Sequence, residues 1–212
     1  MNGEKLAHRY GGPFNLFVER VAQARHSMTG ERFDGLPRYE PPRNGRGEAV
    51  VDEDYPLHLI TYKEITGGQS RTVSSYWLQS VLPENAILMN RRDAAQLGLE
   101  DGDRVRIVSK SNPDGLWKLG HGQMRPVEGK VKVIEGIRPG TIAVSWHYGH
   151  WAYGANDVVI DGQVIPGDPR RATGLCTNAV LRVDDATSNT CLTDPIGGSA
   201  SFYDTLVAVV KV

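Results

Sequence analysis

The chain has 212 residues, 40% of them hydrophobic and 23% charged, enough for one sizeable core with an extension. Its formal net charge of −1 leaves no global field to draw nucleic acid or an anionic membrane. No apolar run approaches the roughly 20 residues that span a bilayer.

Residues 14–25 carry Phe14, Leu16, Phe17, Val18, Val21, Ala22 and Ala24, and predict one short amphipathic helix. The chain then turns polar through Thr29–Pro37 and Pro41–Gly47, with too few apolar groups for a core of its own. Residues 1–54 are therefore expected to be an irregular extension that drapes over another surface. From Tyr55 on, strand signals dominate: 57–62, 86–89, 104–108, the period-two stretch 129–133, 141–145 after Pro139-Gly140, and 206–212. Short helices are predicted over 72–80 and 91–97.

The most telling stretch is 86–108. A strand from Ala86 to Met89 runs into a helix carrying Asp93, Ala94, Ala95 and Leu97, which Gly98 ends. The turn Glu100-Asp101-Gly102-Asp103 then feeds a strand with Val105, Ile107 and Val108. This strand–short helix–turn–strand unit recurs in double-psi β-barrels. With 24 Gly and 12 Pro favouring turns, the fold class is read as mainly β (α+β), with a double-psi β-barrel over 55–212.

Several segments are polar where a strand has just ended. Thr61–Thr72 supplies Tyr62, Lys63, Ser70, Arg71 and Thr72, with Gly67-Gly68 offering backbone N–H groups before a helix start. These groups can hold a pyrophosphate, although a polar β-to-α loop accounts for them equally. Asn90 and Asp93, an amide and a carboxylate on one helix, can read the edge of a guanine or simply cap the helix. The C-terminal tract gathers Asn178, Asp194, Ser199 and Tyr203 before the last strand. In Ser145–Gly154, two histidines and four aromatics suit either a pocket lining or ordinary packing. Cys176 and Cys191 form no CxxC pair and no zinc-type cluster, and two isolated cysteines cannot ligate a four-cysteine iron–sulfur cluster. No GxSxG or HExxH motif is present, so no independent catalytic machinery is expected and no metal ligand is assigned.

Taken together these segments resemble the C-terminal, molybdopterin-dinucleotide-binding domain of the dimethyl-sulfoxide reductase superfamily. The resemblance rests on Leu59–Lys63, Met89–Ala94, Gly98–Val105, Gly136–Gly140, Asn178 with the Ala-Val-Leu after it, and Asp194 before the closing strand. The stretch Trp146–Trp151 and residues 197–205 look most like the tetrathionate reductase branch, with polysulfide and arsenate reductases as relatives. The resemblance implies a barrel that closes over one side of a bis(molybdopterin guanine dinucleotide) carrying molybdenum. Tyr62, Lys63, Ser70, Arg71 and Thr72 would serve pterin or phosphate; Asn90 and Asp93 would serve a guanine; Asn178, Asp194, Ser199 and Tyr203 would face the pterin. It also implies a parent enzyme reducing an oxidised sulfur or arsenic compound such as tetrathionate. The molybdenum ligand and any export signal would lie upstream, and an iron–sulfur electron-transfer subunit would be a partner. On that reading the chain is not active alone. The alternative is a peptide- or adaptor-binding module, since the Leu-Gly-Leu-Glu-Asp-Gly-Asp turn also occurs in the double-psi N-domains of AAA ATPases.

Overall fold

The computed structural model describes residues 16–27, 30–37, 39, 41–119, 123–152, 154–186, 199–200 and 202–212. The chain divides into two compact units, residues 1–50 with 184–201 and residues 51–183 with 202–212.

In the first unit the expected helix is a single turn, α1 (Glu19–Gln23), with no buried residue. Leu16, Phe17 and Val18 precede it and stay about half exposed. One helical turn gains few hydrogen bonds for the dihedrals it fixes, so the helix does not propagate across the whole apolar stretch. Val18 N–H donates to Gly35 O at 2.8 Å, and Phe17 covers Gly35 so closely that a side chain there would collide with its ring. The buried Asp184 carboxylate accepts from the backbone N–H of Gly45 and of Ala186, both at 2.9 Å.

The second unit is built on a closed six-stranded barrel. Its strands are β1 (Leu57–Tyr62), β2 (Ala86–Asn90), β3 (Arg104–Ser109), β6 (Glu128–Ile134), β7 (Thr141–Ser145) and β10 (Thr205–Lys211). Around the barrel the order is β1-β10-β3-β6-β2-β7. Two neighbouring pairs are parallel, β1 with β7 and β2 with β6; the others are antiparallel. The alternation read in the sequence becomes burial: Leu57, Leu59 and Thr61 of β1 point inward, as do Ile87 and Met89, Val105 and Ile107, and Val207. β7 is buried from Ile142 to Ser145 on both faces, as a continuous apolar strand between covered surfaces should be.

Two helices follow the strands. The first segment, expected over 72–80, splits into a 3-10 turn (Gln69–Thr72) and α2 (Tyr76–Val81) because Ser75 is extended between them. The second is α3 (Arg91–Gln96), and Gly98 ends it at φ +64°. The Glu100–Asp103 turn forms as read, with Glu100 N–H donating to Asp103 Oδ2 at 2.8 Å and Gly102 at φ +91°. Two small hairpins lie outside the barrel and outside the sequence reading: β4 (Leu116–Lys118) with β5 (Met124–Pro126), and β8 (Val158–Ile160) with β9 (Gln163–Ile165). Among the described residues no helix is long and apolar enough to cross a membrane.

Candidate functional site at one end of the barrel

Strand register sorts the candidate residues by barrel end. β1 pairs with β7 from His58↔Thr141 to Tyr62↔Ser145, so Tyr62 and Ser145 sit about 13 Å along the strands from His58 and Thr141. β10 enters at that same end, because Leu59 pairs with Thr205 and Phe202-Tyr203 come just before. Asn85, at the start of β2, donates from Nδ2 to Ser145 O (2.7 Å) and Leu175 O (2.9 Å), and accepts from Leu175 N–H (2.9 Å). That network fixes residues 175–180 at the same end. Tyr62, the loop after it, Ser145–His150, Thr177-Asn178 and Phe202-Tyr203 therefore share one mouth of the barrel.

Asn90 and Asp93 lie at the opposite mouth, since β2 runs antiparallel to β7 and Met89 pairs with Ile142. The Asn90 amide and one Asp93 carboxylate oxygen are engaged within the chain. Asn90 caps α3, its Oδ1 accepting from Arg92 N–H at 2.9 Å while Nδ2 donates to Ile137 O at 2.7 Å. Asp93 Oδ2 accepts from Gly140 N–H at 2.8 Å. Both side chains are buried.

At the first mouth the chemistry is different. Tyr62 donates from its hydroxyl to Glu64 Oε1 at 2.8 Å, and burial with that carboxylate raises the phenol above its ordinary pKa, keeping it neutral. His147 is 2% exposed, and its Nε2 accepts from Glu64 N–H at 3.0 Å. The ring proton of the neutral imidazole is therefore on Nδ1, and Nδ1 is buried with no partner. Ser145 Oγ, Trp146 Nε1, His150 Nε2 and Thr177 Oγ1 are likewise buried without a hydrogen-bond partner. Burial holds His150 below its ordinary pKa and pushes the Cys176 thiol up, both signs of a low-dielectric pocket of groups. Cys176 is a free, buried thiol, and Cys191 lies outside the described residues.

Aromatic rings frame this end. Tyr203 meets Phe202 edge-on at 5.8 Å, Phe202 leans on Trp146 at 5.9 Å, and Trp146 reaches His147 at 6.3 Å. Arg125 reaches over from β5 and donates to the carbonyl oxygens of Gly149, Ala172 and Gly174, with its guanidinium over the Trp151 ring.

The loop after β1 differs from its sequence reading in one respect. Gly67 N–H donates to Glu64 O (3.0 Å) and Gly68 N–H to Thr72 Oγ1 (2.8 Å), so neither amide is left to cradle an anion. The Gly67 backbone instead lies against the His147 ring, where a Cβ would stand 2.6 Å from Cδ2. Thr72 Oγ1 is spent within the 3-10 turn, donating to Gln69 O at 3.2 Å. Lys63 and Arg71 are exposed, Ser70 is half-buried, and Asn178 is exposed on its 3-10 turn (Thr177–Val180). Tyr203 is exposed at this end; Ser199 is exposed and belongs to the first unit; Asp194 lies outside the described residues. In the sequence His147 and Trp146 fall in a stretch that suits either a pocket lining or ordinary packing, and Thr177 stands beside Asn178; none of the three is assigned a binding role there. The continuous apolar run Ile142–Val144 leading through Ser145 into Trp146-His147-Tyr148 is the signal for the first two.

Among the described residues no group of His, Cys, Asp and Glu is placed to hold a metal ion. The first mouth instead offers donors (His147 Nδ1–H, Trp146 Nε1–H), hydroxyls (Ser145, Thr177) and an acceptor (His150 Nε2). That mixture fits an organic ligand with alternating donors and acceptors along its edge, as a pterin has.

Comparison with known proteins gives the class. The family described as "Molydopterin dinucleotide binding domain" matches residues 57–116, which run from β1 through α3 and β3 into β4. The chain belongs to this family of molybdopterin-dinucleotide-binding domains, within the dimethyl-sulfoxide reductase superfamily. Particular relatives are reductase subunits. A selenate reductase subunit of Mesobacillus selenatarsenatis is 44% identical over 211 residues, covering 99% of this chain and 20% of the relative. A tetrathionate reductase subunit of Salmonella typhimurium is 34% identical over 82% of this chain and 16% of the relative. The arsenate respiratory reductase molybdopterin-containing subunit of a Shewanella species is 29% identical over 71% of this chain and 17% of its own. The chain thus spans about a fifth or less of the length of these relatives. Among solved structures, acetylene hydratase from Pelobacter acetylenicus shares the fold, with a TM-score of 0.55 at 20% identity over 85% of this chain and 22% of that one. The sequence reading named sulfur and arsenic reductases; the selenate reductase, more similar than the tetrathionate enzyme, was not among them.

Proposed function

We propose that this domain closes over one side of a bis(molybdopterin guanine dinucleotide) inside a larger catalytic subunit, which reduces an oxidised selenium, sulfur or arsenic compound. The observation that carries the reading is the set of five buried, unpartnered polar atoms at one barrel mouth, in a chain of the molybdopterin-dinucleotide-binding family. When bound, the cofactor supplies the metal-centred redox chemistry; this chain holds and orients it and excludes water around it. Leaving five polar atoms buried and unpaired would cost about 1–3 kcal/mol each, a cost that a hydrogen-bonding ligand removes.

In this reading His147, Trp146, Ser145 and Thr177 bond the pterin edge, and Tyr62 and Tyr203 flank it. The exposed cations Lys63 and Arg71, beside Ser70, serve phosphate as mobile side chains, not as part of a preformed anion nest. Asn178 reaches the cofactor from its turn, and Asp194 and Ser199 remain candidates for the pterin side. Asn90 and Asp93 shape the far end of the barrel. We further read the barrel as double-psi, which its two parallel strand pairs and the α3-turn-β3 unit support. Residues 55–212 are the domain proper, with 1–54 as its extension. The partners are an iron–sulfur electron-transfer subunit, together with the remaining domains of the catalytic polypeptide.

The test is chemical. Acid hydrolysis of the purified full-length enzyme should release GMP, with molybdenum measured by mass spectrometry in the same sample. Two GMP per molybdenum is the expected result. A full-length protein that folds and carries no pterin, yet retains a peptide ligand, would turn the assignment toward the adaptor-binding module.

A further inference from the structure

The β8–β9 hairpin has a composition that no exposed element should keep. Five of its strand residues are apolar and β-branched, and all are exposed: Val158 48%, Val159 69%, Ile160 54%, Val164 63% and Ile165 46%. Side chains alternate across a strand, so both faces of the hairpin are apolar. Both outer edges of this two-stranded sheet also carry unpaired backbone groups. An isolated hairpin of that size is marginal in water.

The chain nevertheless builds it as a firm projection. The turn is Asp161-Gly162 with φ +51° and +78°, the conformation that matches the twist of a two-residue hairpin. At its base Asp157 Oδ1 accepts from Gly167 N–H at 2.8 Å, and Asp168 N–H donates to Gly154 O at 2.8 Å. Just beyond, Asp168 accepts from the Tyr76 hydroxyl at 2.5 Å, and Arg170 and Arg171 both stand over the Tyr76 ring. The hairpin is thus anchored at α2, although none of its six strand residues is covered. An element held in place with its apolar faces open is shaped to be received by something else.

The occupant follows from length and charge. The selenate reductase relative aligns over 99% of this chain, hairpin included, and this chain makes up only 20% of that polypeptide. Residues 157–167 carry two carboxylates, Asp157 and Asp161, and no basic residue. We propose that the hairpin is a prong that inserts into an apolar, basic-rimmed groove on the part of the same catalytic subunit that lies outside these 212 residues. The inference rests on the reading that the domain works inside a longer subunit; it assigns the surface by which it is held there.

The experiment places the photoreactive residue p-benzoylphenylalanine at Val159, and separately at Val164, in the full-length polypeptide as its host makes it. After irradiation and digestion, each probe should be joined to a peptide of the same polypeptide outside these 212 residues, with no gain in mass on a denaturing gel. Cross-links to a separate subunit, cross-links to a second copy, or probes recovered unreacted would overturn the proposal. So would a native polypeptide no longer than this chain. Because both probes are conservative in polarity, a second measurement guards against misfolding: amide exchange across 158–165 should be slow in the unmodified enzyme and rise severalfold in Val159→Asp/Val164→Asp. GMP and molybdenum content of the same preparations reports on the cofactor reading separately. Loss of cofactor with the cross-links intact would sink that reading and leave the prong standing.

Discussion

The two mouths of the barrel are built from similar residues and end in opposite states. At the far mouth, Asn90 and Asp93 are buried and their bonds run to Arg92, Ile137 and Gly140 of the chain itself. At the near mouth, one side-chain atom of each of five residues, Ser145 Oγ, Trp146 Nε1, His147 Nδ1, His150 Nε2 and Thr177 Oγ1, is buried and has no partner. A buried polar group that is satisfied internally specifies the fold; one left open at a strand end is what the proposed cofactor would satisfy. Residue type alone does not tell the two apart, since an Asn in a turn and an Asn in a ligand site read identically.

The comparison can be broken by substitution. The largest effect is expected at Gly149, which sits at φ +74° where a Cβ would overlap the backbone of Leu175 and Cys176. Gly149→Ala should cost roughly 4 kcal/mol and remove cofactor and stability together. Equal thermal stability by calorimetry would show that the near mouth is softer than its packing implies.

His147→Phe keeps a buried ring but removes the free Nδ1–H. Molybdenum and GMP per folded molecule should fall severalfold, with about 1–2 kcal/mol lost for the stranded Glu64 N–H. Full cofactor content would remove His147 from the site. Asn90→Ala is the mirror experiment. It should cost about 2 kcal/mol through the lost cap and the Ile137 bond, some 5 °C in Tm, with cofactor per folded molecule unchanged. A drop in cofactor instead would bring the far mouth back into the binding surface.

Arg71→Ala and Asn178→Ala change exposed residues, so stability should move by no more than about 0.5 kcal/mol. Cofactor retention should weaken by about tenfold where a charge-assisted bond to phosphate is lost. Unchanged molybdenum content in both would exclude them.

The smallest effect concerns the far side of the barrel and pH. Lys211 Nζ donates to Asp103 at 2.7 Å and, as the largest cause, holds that carboxyl below its ordinary value. A lowered folded pKa means the stabilisation is present above about pH 4 and is lost as pH falls through the folded value. Asp103→Asn should flatten the acid limb of a Tm-versus-pH curve slightly, and leave it unchanged at neutral pH apart from the lost ion pair. A steeper acid limb in the variant would reverse the assignment.

Much of the fold was legible in the residues. All six barrel strands fall within a residue or two of their apolar runs, and the Gly98 stop and the Glu100–Asp103 turn stand where local chemistry puts them. The β8–β9 hairpin went unread although Asp161-Gly162 between Val/Ile-rich runs is a strong local hairpin signal. Within the site, the residues of the loop after β1 suit either an anion cradle, since Gly-Gly can present its amides, or an ordinary polar loop. Thr72 and the Glu64 carbonyl claim both amides, and that is a contact between neighbours in space that composition does not announce.

By itself the sequence determined the strands, the turns, the helix caps and the family, because these depend on periodicity and on residues a few positions apart. Only the tertiary structure decided which polar residues are spent. Closing the barrel fixes register across distant strands, so that Asn90 and Tyr62 fall at opposite ends and Ser145 and His147 are carried inside together. Whether a buried donor finds an acceptor is a matter of three-dimensional geometry, and no order of residues along the chain states it.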